Sequence, residues 1–320
     1  MSNQPLVTPK STIVSQLFMF LGCLLLGYFM IGPLLGFFAL KPILSDLSTQ
    51  GMLNFMANPT DDAKGRTVLL VFQGVASLVV FIVVPLLFRR YLETKPSDKL
   101  TQRSATVLMM LLTVLITLVI IPVMEPIIRW NAEIKLPGFL AEFEKIAQQK
   151  EQQIAQITAL LTNIENLAQF FFTLIVIAVL PGVGEELVFR GIIQKKLGYL
   201  INPHVAIWLS AFLFSALHLQ YFGLVPRMLL GVLFGYLYYW SGNLWLPILA
   251  HFINNGFTLL MIYFYKIGLV SFDIQKVTYS IVWIILSFVG TAALLWVFYK
   301  RTRQTSATIN ASPEYAVENN

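Results

Sequence analysis

Long apolar runs alternate with short polar connections along most of the chain. Each run approaches or exceeds the ~20 residues that an α-helix needs to cross a bilayer. Their length separates them from the shorter strands of a soluble protein. We therefore predict an all-α fold, a polytopic integral membrane helix bundle of about eight transmembrane helices. The predicted spans are 13–40, 67–88, 105–124, 168–184, 204–220, 224–240, 244–265 and 278–298.

One long segment has a different pattern. In 137–167, apolar residues recur every three or four positions with Glu, Gln and Lys between them, which predicts an amphipathic helix outside the membrane. The chain then divides into N-terminal transmembrane helices (1–124), an extramembrane amphipathic helix (125–165), a core of about four spans (166–265), a last transmembrane helix (266–299) and a disordered cytoplasmic tail (300–320).

Composition and charge support a membrane protein. Of the 320 residues, 57% are hydrophobic and 12% charged, against roughly 25% charged in soluble domains. The net charge of +6 is spread through loops, so it does not indicate nucleic-acid binding. Basic residues in 89–103, 195–196 and 300–303 fall on one side of an eight-span arrangement, which predicts that this side and both termini are cytoplasmic.

The fourth span ends with charged residues, in the sequence EELVFR. Ionisable groups in a span are costly and usually face the bundle interior or a water-filled cavity. Glu186 and Arg190 are four positions apart and can pair on one helix face. Glu185 points about 100° away and lacks that partner, so it is our candidate for chemistry. The alternative is that all three residues mark the cytoplasmic end of the span.

The following spans also carry polar groups. Phe214 and His218 lie one turn apart in FSALH, and His251 and Asn255 one turn apart in HFINN. Such groups can pack at an interface or join helices by hydrogen bonds. With Glu185 they also form a set suited to activating water, since a carboxylate can act as a general base and imidazole or amide N–H groups can stabilise an oxyanion.

Two common hydrolase motifs are not found. There is no HExxH, and the candidate spans contain no G-x-S-x-G. In a plain zigzag of spans, the carboxylate and the two histidines meet at one depth only if helices are tilted, shifted or interrupted. Prolines provide places for this, at Pro181, Pro203, Pro226 and Pro247.

The three motifs EExxxR, FxxxH and HxxxN occur in that order on successive helices, over roughly residues 165–265. The chain thereby resembles the CAAX prenyl protease 2 family, also called the CPBP or ABI family of intramembrane proteases. The resemblance implies an active site within the bilayer. Eukaryotic members remove the last three residues after a prenylated cysteine, and prokaryotic relatives are linked to bacteriocin immunity or peptide-signal processing.

The resemblance also implies roles for individual residues. Glu185 would activate water with the help of His218, and His251 and Asn255 would stabilise the oxyanion. The supporting residues would be Glu186, Arg190 and Phe214. The resemblance leaves open whether no cofactor is required or whether Glu185, His218 and His251 hold zinc; the lack of a compact ligand cluster favours the first.

We therefore expect an intramembrane endopeptidase that acts on a membrane-associated peptide or membrane-anchored protein, in contact with the lipid bilayer, in a bacterial inner (cell) membrane. One alternative is a non-catalytic membrane scaffold or an immunity or peptide-signal protein. The other is a transporter, which would predict paired halves with discontinuous helices; the sequence has no internal repeat.

Overall fold

The structure is a computed structural model that describes residues 9–57, 62–93 and 100–310, with side chains through residue 303. Within these ranges every regular element is a helix, which confirms the predicted all-α polytopic bundle. The helices are α1 Lys10–Ala39, α2 Thr49–Ala57, α3 Ala63–Leu92, α4 Val107–Val119, α5 Ile121–Ala132, α6 Ala141–Leu161, α7 Leu167–Leu200, α8 Pro203–Ala216, α9 Leu224–Ser241, α10 Trp245–Lys266 and α11 Ile281–Asn310. Short 3₁₀ turns at Gly138–Leu140 and Tyr221–Gly223 precede α6 and α9.

All eight apolar regions are helical, but they differ in length. Six helices among the described residues are long and apolar enough to cross a membrane, namely α1, α3, α7, α9, α10 and α11. Helices α4 and α5 make a seventh span if they are taken together, with a bend of 43° where Pro122 lacks a backbone donor. Helix α8 has 14 residues, or about 21 Å, which is short of the ~30 Å hydrocarbon layer.

Helix α7 is the centre of the bundle and contacts α1, α3, α8, α9 and α10. It extends to Leu200, well past residue 184, where the apolar run of the sequence ends. Two π-helical segments, Ile175–Val179 and Leu187–Gln194, interrupt it. Glu185 therefore lies near the middle of this long helix and not at its end.

The amphipathic segment forms α6, but only the C-terminal end of its apolar face is buried. Leu160, Leu161 and Ile164 are buried, whereas Phe139 is 84% exposed and Ile146 is also exposed. The predicted apolar face is thus divided into a buried end and a largely exposed end, where Phe143 contacts Tyr221.

The last helix is longer than predicted. It continues through Asn310, so residues 300–310 are helical where the sequence suggested a disordered tail, and residues 311–320 lie outside the described part of the chain. Two pairs at i and i+4 favour this extension, because Lys300 lies 4.0 Å from the Trp296 ring centroid and Arg303 lies 5.3 Å from that of Tyr299.

Small residues let α7 approach its neighbours closely. A Cβ atom at Gly184 would lie 2.6 Å from the Cβ of Phe81 and 3.2 Å from its carbonyl oxygen, so α7 and α3 are almost in backbone contact there. A Cβ at Gly198, further along the same helix, would meet nothing within 4 Å.

This pair of glycines gives a matched test of the packing. We expect Gly184→Ala to lower the free energy of unfolding by about 1–3 kcal/mol, because the methyl group must push α3 away. Gly198→Ala should be neutral or stabilising by up to about 1 kcal/mol, because alanine favours helix and has room. Thermal unfolding of both variants in detergent measures the difference; equal effects would contradict the close contact between α7 and α3.

Candidate active site

The site is built around a buried ion pair within α7. Arg190 Nη1 donates to Glu186 Oε1 at 2.7 Å, and the two side chains are 1% and 0% exposed. This is the i, i+4 pair that the sequence predicts. Since neither group can reach water, each depends on the other for its charge to be tolerated.

Arg190 also joins α7 to its neighbours. Its Nη2 donates to the carbonyl oxygen of Gly231 in α9 at 2.7 Å, and its guanidinium lies 5.0 Å from the Phe214 ring centroid and 5.6 Å from that of Phe234. A Cβ at Gly231 would come within 3.3 Å of Nη2, so glycine leaves space for this approach. The guanidinium is thus held by a carboxylate, a carbonyl and two aromatic faces.

His251 of α10 lies between the two glutamates. Its Nδ1 is 2.9 Å from Glu186 Oε1, and its Nε2 is 3.8 Å from Glu185 Oε2. A carboxylate oxygen can only accept, so Nδ1 carries a proton and Nε2 is the nitrogen that faces Glu185. The side chain of Glu185 is 13% exposed and is more accessible than that of Glu186.

Phe214 of α8 separates and orients the two histidines. Its ring lies 5.1 Å from the ring of His218 and 6.0 Å from that of His251, between centroids. His218 Nδ1 donates to the carbonyl oxygen of Phe214 at 2.8 Å, which leaves Nε2 as its free nitrogen. His218 also interacts electrostatically with Glu185 and His251.

The short length of α8 explains how these groups meet. Helix α8 is shorter than a full span and ends at Ala216. His218 follows two residues later and therefore does not reach the far side of the bundle. Because α7 continues to Leu200, Glu185 is also placed within the bundle. The extension of α7 and the early end of α8 therefore bring Glu185 and His218 to a similar depth, which spans of equal length would not do.

Asn255 makes a hydrogen bond that the sequence alone did not predict. Its Nδ2 donates to the carbonyl oxygen of Ile177 at 3.1 Å, and its Oδ1 accepts from Asn254. Ile177 is four residues before Pro181, which has no N–H to give this oxygen its usual helical bond. The asparagine amide thus supplies the donor that the proline removes, in the π-helical turn Ile175–Val179.

The described residues contain no group of three or more His, Cys, Asp or Glu side chains that could hold a metal ion. The set of Glu185, His218 and His251 is therefore not arranged as a ready three-ligand zinc site.

Several contributors to the site have weak sequence signals. Phe234 and the carbonyl of Gly231 were not predicted, since a backbone acceptor has no residue signature. The partner of Asn255 could have been found by asking which carbonyl Pro181 leaves without a donor.

Comparison with known proteins agrees with the motifs. Residues 167–257 match the family model described as type II CAAX prenyl endopeptidase Rce1-like, and this segment contains all of the candidate site residues. The predicted resemblance to the CAAX prenyl protease 2 family is therefore confirmed for this part of the chain.

One curated relative is similar over part of its length. The uncharacterized protein YpbD of Bacillus subtilis (strain 168) is 31% identical over 87 residues, which make up 26% of this chain and 42% of YpbD. The match thus spans less than half of the relative. No solved structure gives a significant match.

The bond from Asn255 to Ile177 can be tested by a double-mutant cycle. We expect Asn255→Ala to lower the free energy of unfolding by about 1–3 kcal/mol, because the Ile177 carbonyl loses its donor. Pro181→Ala restores a backbone N–H, so the loss should be much smaller in the double variant. Chemical unfolding of the four proteins measures the coupling; strictly additive effects would contradict it.

Proposed function

We propose that the chain is an intramembrane endopeptidase of the CAAX prenyl protease type, in which Glu185 activates the attacking water. The observation that carries this proposal is the asymmetry of the two adjacent glutamates. Glu186 accepts hydrogen bonds from Arg190 and His251, whereas the carboxylate of Glu185 stays accessible beside Nε2 of His251. The family match over residues 167–257 supports the reaction class.

The reaction would proceed by proton transfer and addition. Glu185 takes a proton from a water molecule, and the water oxygen forms a bond to the carbonyl carbon of the peptide. The free Nε2 of His218 helps to hold the water. The C–N bond then breaks, and the proton held by Glu185 passes to the leaving amine. The products are a new C-terminal carboxylate and a peptide with a free amino group.

The oxyanion formed in the addition step requires donors. His251 Nε2 and the second N–H of the Asn255 amide would provide them. In this role both ring nitrogens of His251 carry protons, and Glu186, which accepts from Nδ1, supports the resulting charge. One such donor in a site that excludes water is worth roughly 3–4 kcal/mol of transition-state stabilisation.

The substrate in this proposal is a peptide or protein segment anchored at the bilayer and cut near its C-terminus. The membrane would be a bacterial inner membrane. In an eight-span arrangement that counts the pair α4–α5 as one crossing and the short α8 as another, both termini would be cytoplasmic, because the basic residues of 89–103 and 300–303 favour that side. The lipid bilayer is then the partner of the exposed apolar faces of the outer helices, such as Phe18, Phe29 and Phe288.

The proposal predicts that Glu185→Gln removes cleavage while the protein stays folded. Purified protein in liposomes would be tested on a farnesylated CAAX peptide and a panel of hydrophobic peptides. We expect a rate loss of at least ~100-fold, because general base catalysis contributes that much or more. Glu142→Gln, which makes the same charge change on the exposed side of α6, should keep full activity.

A zinc chelator completes this experiment. If the wild-type protein still cleaves in the presence of the chelator, the result supports activation of the water by Glu185 without a metal. Loss of cleavage that zinc restores would contradict the metal-free route, and full activity of Glu185→Gln would remove Glu185 as the base. If wild-type protein cleaves no peptide in the panel, the protease proposal itself fails for these substrate classes.

A further inference from the structure

The turn between α8 and α9 carries His218 and has an unusual backbone conformation one residue later. Leu219 has a φ of 55°, and among the residues that the structure describes it is the only non-glycine residue with a positive φ. Side chains other than glycine rarely adopt this left-handed region. Leu219 is 64% exposed, so packing of its side chain does not impose the conformation. Such a strained residue persists only where the surrounding structure holds it.

The side before Leu219 is held by α8. The backbone N–H groups of His218 and Leu219 donate to the carbonyl oxygens of Ser215 and Ala216, at 3.2 Å and 3.0 Å. The imidazole is tied to the same helix, because its Nδ1 donates to the carbonyl oxygen of Phe214 at 2.8 Å. These bonds belong to a single turn at the end of the helix, so a change of the backbone at Leu219 acts on them directly.

The side after Leu219 is held by Asn131 of α5. The Nδ2 of this residue donates to the carbonyl oxygen of Tyr221 at 3.4 Å, and its Oδ1 accepts from the backbone N–H of Val225 at 2.8 Å. Asn131 is 1% exposed, and α5 packs against both the 3₁₀ turn and α9. The two bonds lie on either side of the 3₁₀ turn, so Asn131 sets the place that the chain must reach after Leu219.

The start of α9 explains why a residue from another helix is needed here. Val225 is the second residue of α9, so its N–H has no partner within the helix. The residue before the helix is Gly223, which has no side chain to accept from it. Asn131 supplies the acceptor from 94 positions away. It lies outside the matched segment 167–257, so neither the motifs nor the family match indicates it.

We propose that Asn131 is a positioning residue for His218. The proposal rests on the proposed protease function, in which Nε2 of His218 helps to hold the attacking water. Asn131 keeps the far end of the turn in place and so maintains the strained conformation of Leu219. Without it, Leu219 would relax to a negative φ, and the bonds of His218 to Ser215 and Phe214 would loosen. A shift of about 1 Å in a reacting group can cost ~100-fold in rate.

A double-mutant cycle in activity separates positioning from a general loss of structure. The substrate would be the peptide of the panel that the wild-type protein cleaves fastest, in liposomes. We expect Asn131→Ala to lower kcat by about 10- to 100-fold with KM unchanged. In a His218→Ala background, Asn131→Ala should cause no further loss, because the ring that it positions is already absent. The same fold-loss in both backgrounds would overturn the proposal.

Asn243 provides a matched control, because it makes the same two kinds of bond at another turn. It is 2% exposed, its Nδ2 donates to the carbonyl oxygen of Arg103 at 2.6 Å, and its Oδ1 accepts from the backbone N–H of Trp245 at 2.8 Å. It follows the opposite end of α9 from Val225. Asn243→Ala should lower the unfolding temperature as Asn131→Ala does but keep the wild-type kcat. An equal loss of kcat would contradict a specific role for Asn131.

A change at Leu219 tests whether the strained turn links Asn131 to His218. Glycine adopts a φ of 55° without steric cost, so the turn needs less support when glycine replaces leucine. We expect Leu219→Gly to restore part of the kcat that Asn131→Ala removes. The absence of any recovery would contradict the strained turn as the link.

A spectroscopic measurement makes the result independent of cleavage. The chain contains three histidines, and ¹⁵N-histidine labelling reports their ring nitrogens in detergent. We expect Asn131→Ala to shift or broaden the signals of His218 and to leave those of His204, in the first turn of α8, unchanged. Unchanged His218 signals would overturn the proposal. If the wild-type protein cleaves no peptide, the protease function fails, while these signals still decide whether Asn131 positions His218.

Discussion

The Oε1 atom of Glu186 accepts from Arg190 at 2.7 Å and from His251 at 2.9 Å, in a part of the bundle that water does not reach. Three helices depend on this oxygen, because Arg190 continues to the Gly231 carbonyl of α9 and His251 belongs to α10. Removal of one partner from such a buried pair typically costs about 3–5 kcal/mol, since the other charge is left uncompensated. The same oxygen also sets the orientation of His251 and so directs Nε2 to Glu185.

Interruptions of regular helix are the second constraint on the site. Pro181 removes a donor from α7, and the amide of Asn255 replaces it across the interface with α10. The early end of α8 leaves His218 within the bundle. Irregular backbone at this depth is tolerated only where other protein groups satisfy it. The site therefore lies where the helices depart from ideal spans.

The motif residues could be placed from the sequence because helical spacing is local. Glu186 and Arg190 can be paired from the sequence because they are four positions apart on one helix. The all-α bundle is predicted by the length of the apolar runs. The link from His251 to Glu186 joins residues 65 positions apart, so it depends on packing that no local pattern encodes. The length of α8 was overestimated for a related reason: Leu217 and Leu219 extend the apolar pattern past Ala216, but residues 217–219 form a turn before α9.

The proposed arrangement of Glu186, His251 and Glu185 depends most directly on which ring nitrogen of His251 carries a proton. Labelling with ¹⁵N-histidine gives few signals, because the chain contains three histidines, and His204→Gln and His218→Gln assign the other two. NMR of the wild-type protein in detergent then reports both ring nitrogens of His251. We predict that Nδ1 carries a proton, as its bond to the Glu186 carboxylate requires. A neutral ring with its only proton on Nε2 would contradict the proposed arrangement of Glu186, His251 and Glu185.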